Sequence, residues 1–285
     1  MEECLVAEKY NNIYKIVIEN VKKLYNVVSE DEKSSKKFLA MENFNLNIKK
    51  GEFVTIVGPS GCGKSTILDI LAGLSKPTSG KVYIDGKLVT GPDLDRGIIL
   101  QGYALFPWLN VKQNIEFGLD IKGISKVERK KISKKYIDLV GLNKFENRYP
   151  HELSGGMKQR VAIARALAYD PEILLMDEPF AAVDAQNREL LQEELLSIWN
   201  KTKKTIVFVT HSIEEAIFLA DKVVVMTNNP GKIKEIIKLN LKRPRNAVNM
   251  RISKEYNDIW NRIWQLLHSN SNKEGERKLD YGGIL

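Results

Sequence analysis

The run Gly58-Pro59-Ser60-Gly61-Cys62-Gly63-Lys64-Ser65 has the residue types and spacing of a loop that holds phosphate. Its glycines let backbone N–H groups converge on an anion, and Lys64 can reach the β and γ oxygens of a nucleotide. The Ser65 hydroxyl, followed by Thr66, can ligate Mg²⁺ at a helix N-terminus whose dipole favours negative charge. Farther on, the apolar run Ile173-Leu174-Leu175-Met176 ends in Asp177-Glu178, two carboxylates where a nucleotide hydrolase needs them. Asp177 is placed to hold Mg²⁺ through water, and Glu178 to polarise the attacking water as a general base. A third stretch, Leu153-Ser154-Gly155-Gly156-Met157-Lys158-Gln159-Arg160, reads as a helix start where Ser154 and bare backbone amides offer a second anion site. One chain has no use for two such sites on one nucleotide, so a plain helix cap competes with that reading. Cys62 lies beside Lys64 and a helix start, conditions that lower a thiol pKa. It occupies a variable position of the loop pattern and is read as no more than that.

The elements that carry these residues follow from their periodicity. Phe53-Val54-Thr55-Ile56-Val57 reads as a buried strand, the glycines of residues 58–63 break it, and Ser65 to Leu74 carries Ile67, Leu68, Leu71 and Leu74 at helical spacing. Upstream, Ile13 to Ile18 alternates as a strand does, and the polar stretch Ser29 to Lys37 predicts an extended loop. Phe106 to Tyr149 is charged and helix-patterned, an insertion followed by a helix through Val161 to Ala168 that ends before Asp170-Pro171. Ile173 to Met176, Thr205 to Val209 and Val223 to Met226 read as strands of a parallel core, the first two separated by a helix from Asn187 to Trp199. Beyond Pro244 an amphipathic helix places Ile252, Tyr256, Ile259, Ile263 and Leu267 on one face, and the polar tail His268 to Leu285 is expected to fray. Alternating strand and helix predict an α/β class with a mainly parallel sheet.

At 285 residues the chain can bury one sizeable core, and 43% hydrophobic with 28% charged residues is an ordinary globular composition. No run of about 18 apolar residues could span a bilayer, so any membrane passage is expected of another chain. Met1-Glu2-Glu3-Cys4 lacks the basic start and apolar stretch of a secretory signal, which predicts a cytoplasmic protein. Two cysteines, Cys4 and Cys62, make no disulfide framework and no metal-ligand spacing. The formal charge of +8 is spread in pairs such as Lys22-Lys23 and Lys203-Lys204. No aromatic-interleaved basic patch accompanies them, so solvated faces or proximity to an anionic membrane surface fit better than nucleic acid.

Together the phosphate loop, the Ser154 to Arg160 stretch and the Asp177-Glu178 pair resemble the ATP-binding cassette family, and the match covers residues 13–245. The resemblance implies a phosphate-loop hydrolase fold: a mixed, mainly parallel sheet flanked by helices, an N-terminal antiparallel portion and a helical subdomain at about residues 104–168. Residues 246–285 then form an appended helix and tail. By the same resemblance Gln101 matches the Q-loop glutamine that reaches the Mg²⁺ site, Asp184 the D-loop and His211 the switch histidine. Tyr25 is the best match to the aromatic that stacks on adenine, with Phe38 as its competitor. The family implies ATP and Mg²⁺ as cofactors and two subunits head to tail, a homodimer or a pair with a similar ATPase. Each ATP would lie between one phosphate loop and the Ser154, Gly155 and Gly156 segment of the other subunit. The pair would sit on integral permease subunits at the cytoplasmic face of the membrane, served indirectly by an extracytoplasmic solute-binding protein.

Leu105-Phe106-Pro107-Trp108 after Gln101, Phe180, Asn229-Pro230-Gly231-Lys232-Ile233 and Arg243-Pro244-Arg245 resemble the nitrate, sulfonate and taurine importers within that family. A pyrimidine-precursor importer of similar build stays open. The D-loop departs as Ala181-Ala182-Val183-Asp184, and Gly102 follows Gln101 where a bulkier polar residue is usual. Two other functions compete: a non-transport cassette ATPase acting on ribosomes or nucleic acid, and a small-molecule kinase. The first usually carries paired cassettes or a long coiled coil, and the second leaves Ser154 to Arg160 without a purpose.

Overall fold

The computed structural model describes residues 13–28, 35–228 and 230–269. Two sheets divide the work. The long strands β1 (Tyr14–Val28) and β2 (Ser35–Lys49) pair antiparallel, β4 (Ser79–Ile84) pairs with the other edge of β1, and β5 (Lys87–Leu88) completes the order β2-β1-β4-β5. The second sheet runs β10-β9-β3-β8-β7-β6, built from β3 (Phe53–Val57), β6 (Arg96–Ile99), β7 (Ile173–Asp177), β8 (Thr205–Thr210), β9 (Lys222–Met226) and β10 (Ile233–Lys238). All its neighbours are parallel except β10, which runs antiparallel to β9. Every residue of β3, β8 and β9 is buried, as strands covered on both faces must be.

Helix α1 (Lys64–Ala72) shares one core with both sheets: Ile67, Leu68, Ile70 and Leu71 pack with Ile16, Ile18 and Val82 and with Val54 and Ile56. Burying such side chains contributes about 1.5–3 kcal/mol each, which fixes the phosphate loop between the two sheets. On the opposite side of the parallel sheet, α4 (Gly155–Ala168) and α5 (Ala185–Thr202) share a core with Phe53, Met176 and Phe208, and α2 (Val111–Ile121) and α3 (Lys126–Leu139) pack on α4 and on each other. The insertion is thus helical, as its pattern predicts. Helix α6 (Ile213–Leu219), the short α7 (Ala247–Arg251) and α8 (Lys254–His268) close the fold, with Tyr256 and Ile263 of α8 buried against Ala216, Ile217, Val223 and Val225.

Several expectations change. Helix α1 stops at Ala72 because Gly73 takes φ +76°, and Leu74 beyond it is 58% exposed, off the apolar face assigned to it. Ile252 precedes α8 and is 78% exposed, so the buried face of that helix begins at Tyr256. Ser35 to Lys37 belong to β2 rather than to a loop, and the remainder of the expected loop, residues 29–34, lies outside the described residues. So do residues 270–285 of the expected tail and Cys4.

Candidate functional site

Strand β3 delivers the chain to Gly58, where a Cβ would lie 2.7 Å from Cys62 Sγ and 3.1 Å from Met226 Cβ, so only glycine fits. Gly63, at φ +94°, caps α1 with no side-chain hydrogen bond. The first bond of the helix runs from the Ile67 N–H to the Gly63 carbonyl at 3.0 Å, which leaves the N–H groups of Lys64, Ser65 and Thr66 without an intrahelical acceptor. That is a built anion cradle, and the helix dipole adds to it.

Lys64 is 6% exposed; its Nζ donates to the Gly58 carbonyl at 2.9 Å and the Pro59 carbonyl at 3.0 Å and lies 3.9 Å from Glu178 Oε1. Burial pushes the Asp177 carboxyl up from its ordinary value, with help from neighbouring Glu178 and Asp69 and against the nearby Ser65 and Lys64. A hard cation beside Asp177, the Ser65 hydroxyl and the Gln101 amide would relieve this charge, so the oxygen donors present fit Mg²⁺. Among the described residues no three His, Cys, Asp or Glu side chains gather as a metal cage. The remaining ligands would come from nucleotide phosphates and water.

Glu178 holds φ +42°, a conformation costly for a non-glycine residue, fixed by its N–H donating to the Val209 carbonyl at 3.0 Å. The strain turns its carboxylate back over the loop, with Oε2 3.0 Å from His211 Nδ1. His211 follows β8 and is itself exposed, with 60% of its side chain open.

Gln101 lies beyond β6 and faces the same cleft as Glu178. Behind it Gly102, Tyr103 and Ala104 all take positive φ, +78°, +70° and +45°. Gly102 therefore suits the first of these places, and a side chain larger than hydrogen would be strained there. Arg165 from α4 secures the turn by donating to the Tyr103 carbonyl at 3.1 Å and the Ala104 carbonyl at 2.7 Å. Nothing local in the sequence ties Arg165 to that turn.

Tyr25 and Phe38 stand directly opposite each other across β1 and β2, so the two candidates for adenine stacking are neighbours. Both line an open cleft with Ser60, Gly61, Gly63, Lys64, Ser65, Thr66, Gln101 and Glu178. The Tyr25 hydroxyl is 3.4 Å from Thr66 Oγ1. Cys62 is fully buried, and burial pushes its thiol up despite Lys64, as befits an unreactive position.

Ser154, Gly155, Gly156 and Asp184 do not line this cleft. Ser154 caps α4, accepting from the Met157 N–H at 3.3 Å, and Asp184 caps α5, where bonds from Asn187 hold its carboxyl below the usual range. On this chain Ser154 and Asp184 thus serve as caps of α4 and α5, apart from the residues that line the cleft.

Two motifs first noticed as markers have physical tasks. The N–H of Gly231 donates to the Ala40 carbonyl at 3.0 Å, and a Cβ there would lie 2.0 Å from the Cys62 carbonyl, so the β9–β10 connection braces the phosphate loop. Arg245 donates to the carbonyls of Ile217, Phe218 and Ala220 at the end of α6, while Arg243 binds the Asp221 carboxylate and the Leu219 carbonyl. Burial and adjacent Arg243 push Arg245 down to about 10.

A phosphate cradle between two sheets, a carboxylate pair at the end of β7, a histidine 3.0 Å from the second carboxylate and a capped helix that opens on two glycines fit a nucleotide-hydrolysing cassette. The model of the family described as ABC transporter matches residues 41–181. An uncharacterised ABC transporter ATP-binding protein of Methanocaldococcus jannaschii is 56% identical over 83% of this chain and 86% of its own length. A nitrate import ATP-binding protein of Synechocystis is 52% identical over 71% of this chain and 76% of its own. An aliphatic sulfonates import ATP-binding protein of Bacillus cereus is 47% identical over 82% and 90%. The ATP-binding cassette MJ0796, solved as a dimer in a post-hydrolysis state bound to ADP and Pi, superposes with a TM-score of 0.69 at 37% identity, covering 80% of this chain and all of that one. The chain belongs to the ABC transporter ATP-binding family, and it is an ATPase of that family.

Proposed function

We propose that this chain powers an ABC importer for a small solute such as nitrate, a sulfonate or taurine, working as a dimer of cassettes on a membrane permease. The observation that carries the ATPase half is the placement of Glu178 between Lys64 and His211 over the phosphate cradle. The importer half is supported by relatives named for nitrate and sulfonate import at about half identity.

In this reading Lys64 exchanges the Gly58 and Pro59 carbonyls for the β and γ oxygens of ATP, and the N–H groups of Lys64, Ser65 and Thr66 hold the phosphates. Tyr25, with Phe38 beside it, stacks on adenine. Mg²⁺, held by Ser65, Asp177 through water and Gln101, would neutralise phosphate charge when bound. Glu178 takes the proton of the attacking water, and His211 holds the Glu178 carboxylate in place. Ser154, Gly155 and Gly156, which do not line their own chain's cleft, face the cleft of a second copy and complete its phosphate site. Asp184 lies in the same interface. Residues 13–245 with a helical subdomain at about 104–168 form the catalytic unit, and residues 246–285 are an appendage. Among the described residues no helix is long and apolar enough to cross a membrane, which fits a peripheral subunit at the cytoplasmic face with separate permease chains.

The test is to tag the chain, extract host membranes gently and identify what co-purifies. An integral permease, whose neighbouring solute-binding protein then binds nitrate, sulfonates or taurine, supports the reading. Recovery with ribosomes or nucleic acid overturns it.

A further inference from the structure

We propose that Glu215 is a positioning residue for His211, setting the switch histidine from the buried side and tying it to the D-loop; the proposal rests on the ATPase reading above. Ser212 is the N-cap of α6 and Glu215 stands three residues on, the spacing at which a glutamate normally turns back to accept the N–H of the capping residue. Here it does not. The Ser212 N–H donates instead to Thr210 Oγ1 at 3.0 Å, and the Glu215 carboxylate is free for other partners.

Those partners bracket His211. Thr210 Oγ1 donates to Glu215 Oε2 at 2.6 Å, and the Glu215 N–H donates to Ser212 Oγ at 3.3 Å. Both chain neighbours of His211 are thus bound to one residue, while the His211 ring projects outward to Glu178. Thr210 is 1% exposed and Glu215 6% exposed, so this side of the switch is shielded from water. A buried carboxylate is costly unless each oxygen is used. Its second oxygen accepts from Gln192 Nε2 at 3.3 Å and lies 3.9 Å from Arg188 Nε. Burial pushes the carboxyl up, while Thr210, Arg188, His211 and Gln192 draw it back.

Arg188 carries the connection onward. Its guanidinium donates to the Val183 carbonyl at 2.9 Å, and its backbone N–H makes the first-turn helix bond to the Asp184 carbonyl, also at 2.9 Å. The Arg188 Nε is buried with no hydrogen-bond partner, which leaves the Glu215 carboxylate as its compensating charge. A single carboxylate therefore fixes the backbone on both sides of the switch histidine and, through one arginine, the D-loop that precedes α5. Small displacements of a group that orients a general base are expected to lower turnover about tenfold to a hundredfold with little effect on nucleotide affinity.

The experiment uses the full chain, the variants Glu215→Gln, Thr210→Val and His211→Ala, and the double variant that combines Glu215→Gln with His211→Ala. Turnover and the KM for ATP are measured together with the ring resonances of isotope-labelled histidine in the nucleotide-free protein; the chain holds three histidines, His151, His211 and His268, and His211→Ala assigns the relevant one. Glu215→Gln is expected to lower kcat at least tenfold with KM within twofold, to shift the His211 resonances alone, and to add nothing further in the His211→Ala background. Unmoved His211 resonances, kcat within twofold of the parent, or additive loss in the double variant overturns the proposal. If Glu215→Gln does not fold, Thr210→Val is judged on the same readouts. A parent chain without ATPase activity overturns the ATPase reading, and the resonances, which need no nucleotide, still decide the place of Glu215.

Discussion

Glu178 Oε2 lies 3.0 Å from Nδ1 of His211, a residue 33 positions along the chain, and the contact depends on a left-handed backbone at Glu178. Strand β7 and its parallel neighbour β8 end side by side, and the loop after each supplies one of the two groups. The other Glu178 oxygen, Oε1, lies 3.9 Å from Lys64 Nζ, which sets the pair beside the phosphate cradle.

Glu178→Gln keeps the size of the side chain and removes the carboxylate proposed as the base. Turnover should fall about 10²- to 10⁴-fold while ATP binding holds, and an ATP-loaded dimer should accumulate. Steady-state phosphate release and gel filtration with ATP check this; unchanged turnover would remove Glu178 from the base role.

Tyr25→Ala and Phe38→Ala separate the two aromatics that face the cleft. The one that stacks on adenine should cost about 1–3 kcal/mol, roughly 5- to 150-fold in nucleotide Kd. Titration with a fluorescent ATP analogue reads both. The present geometry favours the larger loss at Tyr25, whose hydroxyl approaches Thr66.

Ser154→Arg places a bulky cation at the α4 N-terminus, outside the chain's own cleft. Hydrolysis should be abolished with nucleotide affinity at the Lys64 cleft intact. A wild-type hydrolysis rate in this variant would sink the shared-site arrangement.

Asp177→Asn should make the nucleotide-free chain more stable and inactive. Burial raises the Asp177 carboxyl pKa, so the folded state binds that proton more tightly than the unfolded chain. Stability is therefore lost as pH rises from the unfolded value through the raised one, and at neutral pH the charge is a standing cost. Removing it should therefore raise Tm at neutral pH. Thermal melts at pH 7 test the sign, and a lowered Tm contradicts the account.

Arg245→Ala should leave three carbonyls at the end of α6 without their donor. With unmet buried groups costing about 1–3 kcal/mol each at most, Tm should drop by several degrees. Differential scanning calorimetry reads the loss, and a Tm within a degree of the parent would show that water replaces the arginine freely.

Much of this protein was determined by short-range sequence. The phosphate loop, its flanking strand and helix, and the carboxylates after Met176 are contiguous, because phosphate binding needs consecutive N–H groups and a side-chain period of 2 or 3.6 writes each element into adjacent residues. The tertiary structure decided what lies across the chain. Antiparallel register set Tyr25 beside Phe38, a pairing that a polar stretch between them had obscured. Packing of α4 put Arg165 on the Gln101 turn, and burial diverted Glu215 from a local cap to Thr210 and Arg188. Leu74 and Ile252 kept the right spacing and lost the face, since Gly73 ended one helix and the other began two residues later. Local patterns specify elements; side chains that hold backbone carbonyls from distant segments answer to packing and register, which no single stretch of sequence encodes.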